Sequence, residues 1–173
     1  MTMGILLALI LILFAAFSRL IPHAPNFTPV ISIALFAGAY LKKRYAFLVP
    51  VAALLISDLV IGFYGIETMA FVYGTIILIV AMGLLLEKKV SAGKLLGLSM
   101  VGAVVFFVTT NFAVWIVPGS IYPKTLAGLA QCYVMAIPFF GNTLLSTLVY
   151  SAAMFGVYEA AEKFVLKPKT VQE

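Results

Sequence analysis

The sequence predicts an all-α membrane protein: six transmembrane helices, a re-entrant first outer loop and a short helix in the fifth loop, forming one integral membrane domain over residues 1–173. Three observations carry this expectation. The chain is 64% hydrophobic and only 10% charged, with a mean hydropathy of +1.18, whereas soluble domains carry about 25% charge. Its apolar residues fall in stretches of roughly span length, separated by short polar breaks. Its cations gather in three clusters, Lys42-Lys43-Arg44, Lys88-Lys89 with Lys94, and Lys163, Lys167 and Lys169. Loops rich in Lys and Arg stay on the cytoplasmic side of a membrane.

The first apolar run, 4–20, has no basic residue before it and reads as a retained span rather than a cleaved signal. The second, 29–41, is 13 residues long before the Lys42 cluster. At 1.5 Å per residue it reaches roughly 20 Å, against a hydrocarbon core of about 30 Å. The segment 22–28 must fill the missing depth without being helical, and such backbone is tolerated only where protein or a wet cavity covers it. Thr28 and Pro29 suit the start of this helix, as a cap and a first-turn proline. Spans at 45–64, 68–86 and 95–117 follow. The last apolar region holds either two spans or one, and charge decides: a single span at 139–162, opened by Pro138, puts all three basic clusters and both termini on the cytoplasmic side. The piece 126–137 is left as a short helix in the fifth loop. Small residues four apart, Ala34/Gly38, Gly93/Gly97 and Ser99/Ala103, allow close helix contacts.

Composition also excludes functions. The net charge of +5 sits in topogenic clusters rather than a stripe, so nucleic acid is not a partner. One cysteine and one histidine leave no set of metal ligands. No Walker loop, His-Glu-x-x-His or Gly-x-Ser-x-Gly is present, so the chain does not itself hydrolyse ATP. Neither a cofactor nor a catalytic residue is expected.

The polar residues fall on one side of this topology. Arg19 ends the first span, and His23, Asn26 and Phe27 follow in the loop. Asp58 lies in the outer half of the third span, Asn111 and Trp115 in that of the fifth, and Asn142 at the start of the sixth. An ionisable group inside a span costs about 2.5–3.5 kcal/mol on insertion scales, so Asp58 needs a role or a partner. It binds substrate or protons, or it pairs with Arg19. Arg19 lines a pocket or snorkels to headgroups. The three asparagines touch substrate or satisfy neighbouring helices, and Trp115 stacks on ligand or belongs to the interface belt.

Six short helices with both termini inside, a long first outer loop and a fifth loop with its own helix resemble the S components of energy-coupling-factor vitamin transporters. The stretches Arg19-x-x-Pro22-His23-x-Pro25-Asn26-Phe27-Thr28-Pro29-Val30, Ala34-Leu35-Phe36-Ala37-Gly38-Ala39, Ser57-Asp58, Thr110-Asn111-Phe112-Ala113-Val114-Trp115 and Pro138-Phe139-Phe140-Gly141-Asn142-Thr143 are similar to those of a bacterial membrane family grouped loosely with them. The resemblance implies a subunit of the bacterial cytoplasmic membrane that captures a small water-soluble micronutrient in an outward-facing cavity. Its walls would come from Arg19, His23, Asn26, Phe27, Asp58, Asn111, Trp115 and Asn142, and loops at 22–28, 65–67 and 118–137 would close it. It further implies a coupling subunit with ATPases as partner. The small residues that dock such a subunit at four-residue spacing are not met by Ala8, Ala15 and Ala16, so a solitary transporter stands beside that expectation. An intramembrane enzyme acting on an amphiphile and a scaffold subunit are the alternatives from other classes.

Overall fold

The computed structural model describes residues 3–87 and 89–166. Lys88, Lys167 and Lys169, which the topology argument uses, lie outside them. Six α-helices occur among the described residues: α1 (Met3–Ser18), α2 (Val30–Tyr40), α3 (Lys43–Ile61), α4 (Ile66–Gly83), α5 (Ala92–Ile116) and α6 (Leu126–Ala161). A 3-10 turn, Leu84–Leu86, extends α4, and a π turn, Glu162–Leu166, extends α6. Four of these helices are long and apolar enough to cross a membrane, namely α3 to α6 with their extensions. The two at the N-terminus are shorter, α1 with 16 residues and α2 with 11.

The short helix is the centre of the bundle. Every residue of α2 from Val30 to Ala39 is buried, and α2 contacts all five other helices. A helix that is apolar all round belongs inside. Its closest neighbour is α4, because two glycines remove the side chains that would hold them apart. A Cβ on Gly38 would stand 2.4 Å from the Val80 carbonyl oxygen, and one on Gly83 would stand 2.5 Å from that of Leu35. At the level of Ser32 a chain of hydroxyls crosses the core: Ser99 donates to Ser151, Ser151 to Ser32 at 3.0 Å, and Ser32 to the Thr147 carbonyl at 2.9 Å. Lower down, Phe36, Tyr40, Phe155 and Tyr158 pack ring on ring. The outer faces of the bundle carry large apolar side chains, among them Phe14, Phe17, Leu59, Val60, Met135 and Ile137, as a lipid-facing surface requires.

Two boundaries differ from the sequence reading. Residues 126–137 are not a separate short helix in the fifth loop, and Pro138 does not open the last span: α6 runs unbroken from Leu126 through Pro138 to Ala161. Proline removes one helical hydrogen bond and crowds the preceding turn, yet neighbouring helices compensate for this in apolar surroundings. Here the Phe107 ring of α5 lies against Tyr133 at 5.7 Å and Phe140 at 4.9 Å, so α5 packs on α6 both before and after Pro138. The fifth loop shrinks to 117–125. At the other boundary α2 begins at Val30 with Pro29 as its cap and no side-chain cap bond, so Thr28 does not serve as the cap. The segment 22–28 is non-helical, with residues 22–26 exposed rather than sunk into the bundle, and Asn26 adopts a left-handed φ of 60° there.

Candidate functional site

Arg19 follows the last turn of α1, its N–H bonded back to the Ala16 carbonyl. From there the guanidinium reaches across to α3. One amino group donates to Asp58 Oδ1 at 2.8 Å, and the other donates to Ser57 Oγ and, at 3.4 Å, to the Leu54 carbonyl. Tyr73 of α4 donates its hydroxyl to the second Asp58 oxygen at 2.8 Å. Both carboxylate oxygens are thereby satisfied, and Asp58 is 1% exposed. The Arg19 Nε has no hydrogen-bond partner among the described residues. It borders a void of about 10 Å³ lined also by Ala16, Val30, Ile33, Pro50, Ala53, Leu54 and Ile76, too small for any ligand beyond about one water. Arg19 and Asp58 therefore form a closed ion pair joining α1, α3 and α4. Tyr64, in the turn after α3, stands in the same field: burial pushes its phenol up to about 12, Asp58 adds to the push and Arg19 opposes it.

The remaining candidates are satisfied elsewhere. Asn142 of α6 donates to the Pro25 carbonyl at 2.9 Å, and Phe27 lies against Tyr150, one turn short of three further along α6, at 6.1 Å. Tyr150 in turn donates to Ser18 at the end of α1. These contacts fasten the 20–28 segment onto the bundle. His23 is exposed and its Nδ1–H donates to the adjacent Ala24 carbonyl. Asn26 is exposed and sets the turn through its backbone. Asn111 donates to the Phe107 carbonyl of its own helix, while its own carbonyl accepts from Cys132 Sγ. Trp115 Nε1 donates to the Pro123 carbonyl, and Lys124 returns to the Trp115 and Val117 carbonyls, folding 117–125 tightly over the α5–α6 junction.

Of the eight residues singled out from sequence, the structure brings Arg19 and Asp58 into contact and sets Asn142 and Phe27 together around the first loop. No hydrogen bond among the described residues joins His23, Asn111 or Asn142 to the ion pair. Tyr73 was missed. Its signal was available: a tyrosine inside a span needs a hydrogen-bond partner, and Asp58 is the only acid within the spans at comparable depth. Tyr150, which with Ser18 holds the loop from beneath, carried the same signal, but with no acid at its depth to name the partner. Among the described residues no group of three or more His, Cys, Asp or Glu side chains is placed to hold a metal ion.

The chain belongs to a family of unknown function, DUF6580, whose model matches residues 1–170. No curated protein and no solved structure matches it.

Proposed function

We propose that the chain is the substrate-capture subunit of a membrane transporter, taking a small water-soluble micronutrient, a vitamin or its precursor, at the end of the bundle where α1, α3 and α5 finish. In this reading that end faces outward from the bacterial cytoplasmic membrane, and both termini lie in the cytoplasm. The observation that carries it is the fastening of the 20–28 segment: a non-helical stretch, anchored at its end by the buried Pro29, that is held to α6 by one side-chain hydrogen bond, Asn142 to Pro25, and one ring contact, Phe27 on Tyr150. Such a stretch lifts at small cost, since a single hydrogen bond contributes about 1 kcal/mol net. Lifting it opens a path from water to Tyr150, Asn142 and the polar groups beside them. The similarity to S components supports the same reading, and a separate ATP-driven coupling module would supply the energy.

The small void beside Arg19 favours a distinct role for the ion pair. It clamps α1 to α3 beneath the lid, while ligand is held by the lid and the upper part of α6. A thermal-shift screen of the purified chain against water-soluble micronutrients tests the proposal. At least one compound should raise the unfolding midpoint and protect a cysteine placed at Ala24 from aqueous thiol reagents. If no compound does either, the capture reading fails.

A further inference from the structure

A second cavity lies at the opposite end of the α1–α3 seam. It has a volume of about 400 Å³ and is lined by Ile5, Leu9, Leu41, Lys42, Tyr45 and Val49, within the range of about 300–1,000 Å³ common for ligand pockets. Its lining is graded. Lys42 stands at the mouth, Tyr45 is 55% exposed beside it, and Leu9 and Val49 lie one to two turns deeper along α1 and α3. Along α3 the lining from Lys42 to Val49 covers about 10 Å at the helical rise. A cation at the rim and a purely apolar interior are the two halves of an amphiphile's binding site. Arg44, exposed two residues on in the first turn of α3 and outside the lining itself, adds charge at the same end of the helix, and among the described residues neither Lys42 nor Arg44 is paired with a carboxylate.

We infer that this cavity binds an anionic phospholipid, its phosphate held by Lys42 and Arg44 and one acyl chain lying along Leu9, Leu41 and Val49. The reasons are charge and access. A soluble anion would leave the apolar interior unused, and a zwitterionic lipid gains little from two unpaired cations. An anionic lipid uses both. Basic pockets between transmembrane helices recognise such headgroups, and each Lys or Arg near the surface strengthens the attraction roughly fivefold. The inference rests on the membrane location alone and is independent of what the far end of the bundle captures.

The test uses the full chain, delipidated in detergent, with phosphatidylglycerol, phosphatidylcholine of the same acyl chains, and glycerol 3-phosphate as probes. Bound lipid is read by native mass spectrometry and by the shift of the unfolding midpoint. Phosphatidylglycerol should be retained and raise the midpoint, phosphatidylcholine should bind roughly 25-fold more weakly (two cations at roughly fivefold each), and glycerol 3-phosphate should do nothing. The double variant Lys42→Gln/Arg44→Gln should bind both lipids alike. Val49→Trp, which fills the cavity and spares the cations, should lower retention of phosphatidylglycerol as well, whereas Lys94→Gln in another basic cluster should leave it unchanged. Equal binding of the two lipids by the unaltered chain, an effect of glycerol 3-phosphate alone, or full retention in both cavity variants overturns the inference. So does a dimer that Val49→Trp converts to monomer, because a second copy would then be the occupant.

Discussion

Gly38→Ala is the sharpest perturbation of the core. The added Cβ would stand 2.4 Å from the Val80 carbonyl oxygen and 2.8 Å from both Cα and C of Gly83. All three are backbone atoms of α4, so no rotamer change can relieve the clash. Restoring ordinary contact near 3.4 Å requires α2 and α4 to part by about 1 Å, and α2 cannot shift freely because every other helix packs on it. Overpacking of this kind costs about 3 kcal/mol at the upper end of the usual range. Replacing a helical glycine recovers about 1 kcal/mol of propensity, which leaves a net loss of about 2 kcal/mol. The assay is equilibrium unfolding in mixed detergent micelles followed by far-UV circular dichroism. Gly74→Ala is the control, since a Cβ there meets nothing within 4 Å, and it should be neutral or slightly stabilising. If Gly38→Ala proves as stable as Gly74→Ala, the close α2–α4 crossing is wrong, and with it the central placement of the short helix.

Removing one partner of the buried pair should cost about 3–5 kcal/mol, since it strands a charge; Asp58→Asn and Arg19→Ala should each lower the unfolding midpoint, and the joint variant should lose less than their sum. Asn142→Ala should cost only about 1 kcal/mol yet speed thiol labelling of a cysteine at Ala24, with no change in labelling at Ile121 in the fifth loop. Gly128→Ala places a Cβ 2.0 Å from the Pro123 carbonyl oxygen, which also accepts the Trp115 Nε1–H. Trp115 is the one tryptophan of the chain, so its emission should shift to longer wavelength; an unchanged spectrum would refute the folded-back 117–125 loop.

Much of the helical framework was legible because apolar runs and their polar breaks dictate it. The non-helical course of 22–28 was legible in the prolines at 22, 25 and 29 and in the shortness of the apolar run after them, although residues 22–26 are exposed rather than folded down into the bundle. The pairing of Arg19 with Asp58 was legible as an alternative, since two charges in apolar surroundings seek each other. Tertiary packing governs what the sequence left obscure. Pro138 reads as a helix start, yet α6 runs through it, with α5 packed on the helix before and after it through Phe107 on Tyr133 and Phe140. Gly93 and Gly97 have the spacing of a helix contact, yet a Cβ at either would meet nothing within 4 Å, whereas the tight contact falls on Gly38 and Gly83 from different helices. The spread of Asn111, Trp115 and Asn142 over separate hydrogen-bond partners follows from each having a nearby carbonyl to satisfy, and a one-dimensional reading of depth does not contain those partners.

Mass spectrometry of the small molecules released from the gently solubilised chain tests the capture function most directly, with the producing cells grown in medium containing the water-soluble micronutrients. One polar compound approaching one per chain is expected, released more readily from the Asn142→Ala protein, in which the 20–28 segment is unfastened. Folded protein that carries no such compound, and whose unfolding midpoint no micronutrient raises, would contradict it.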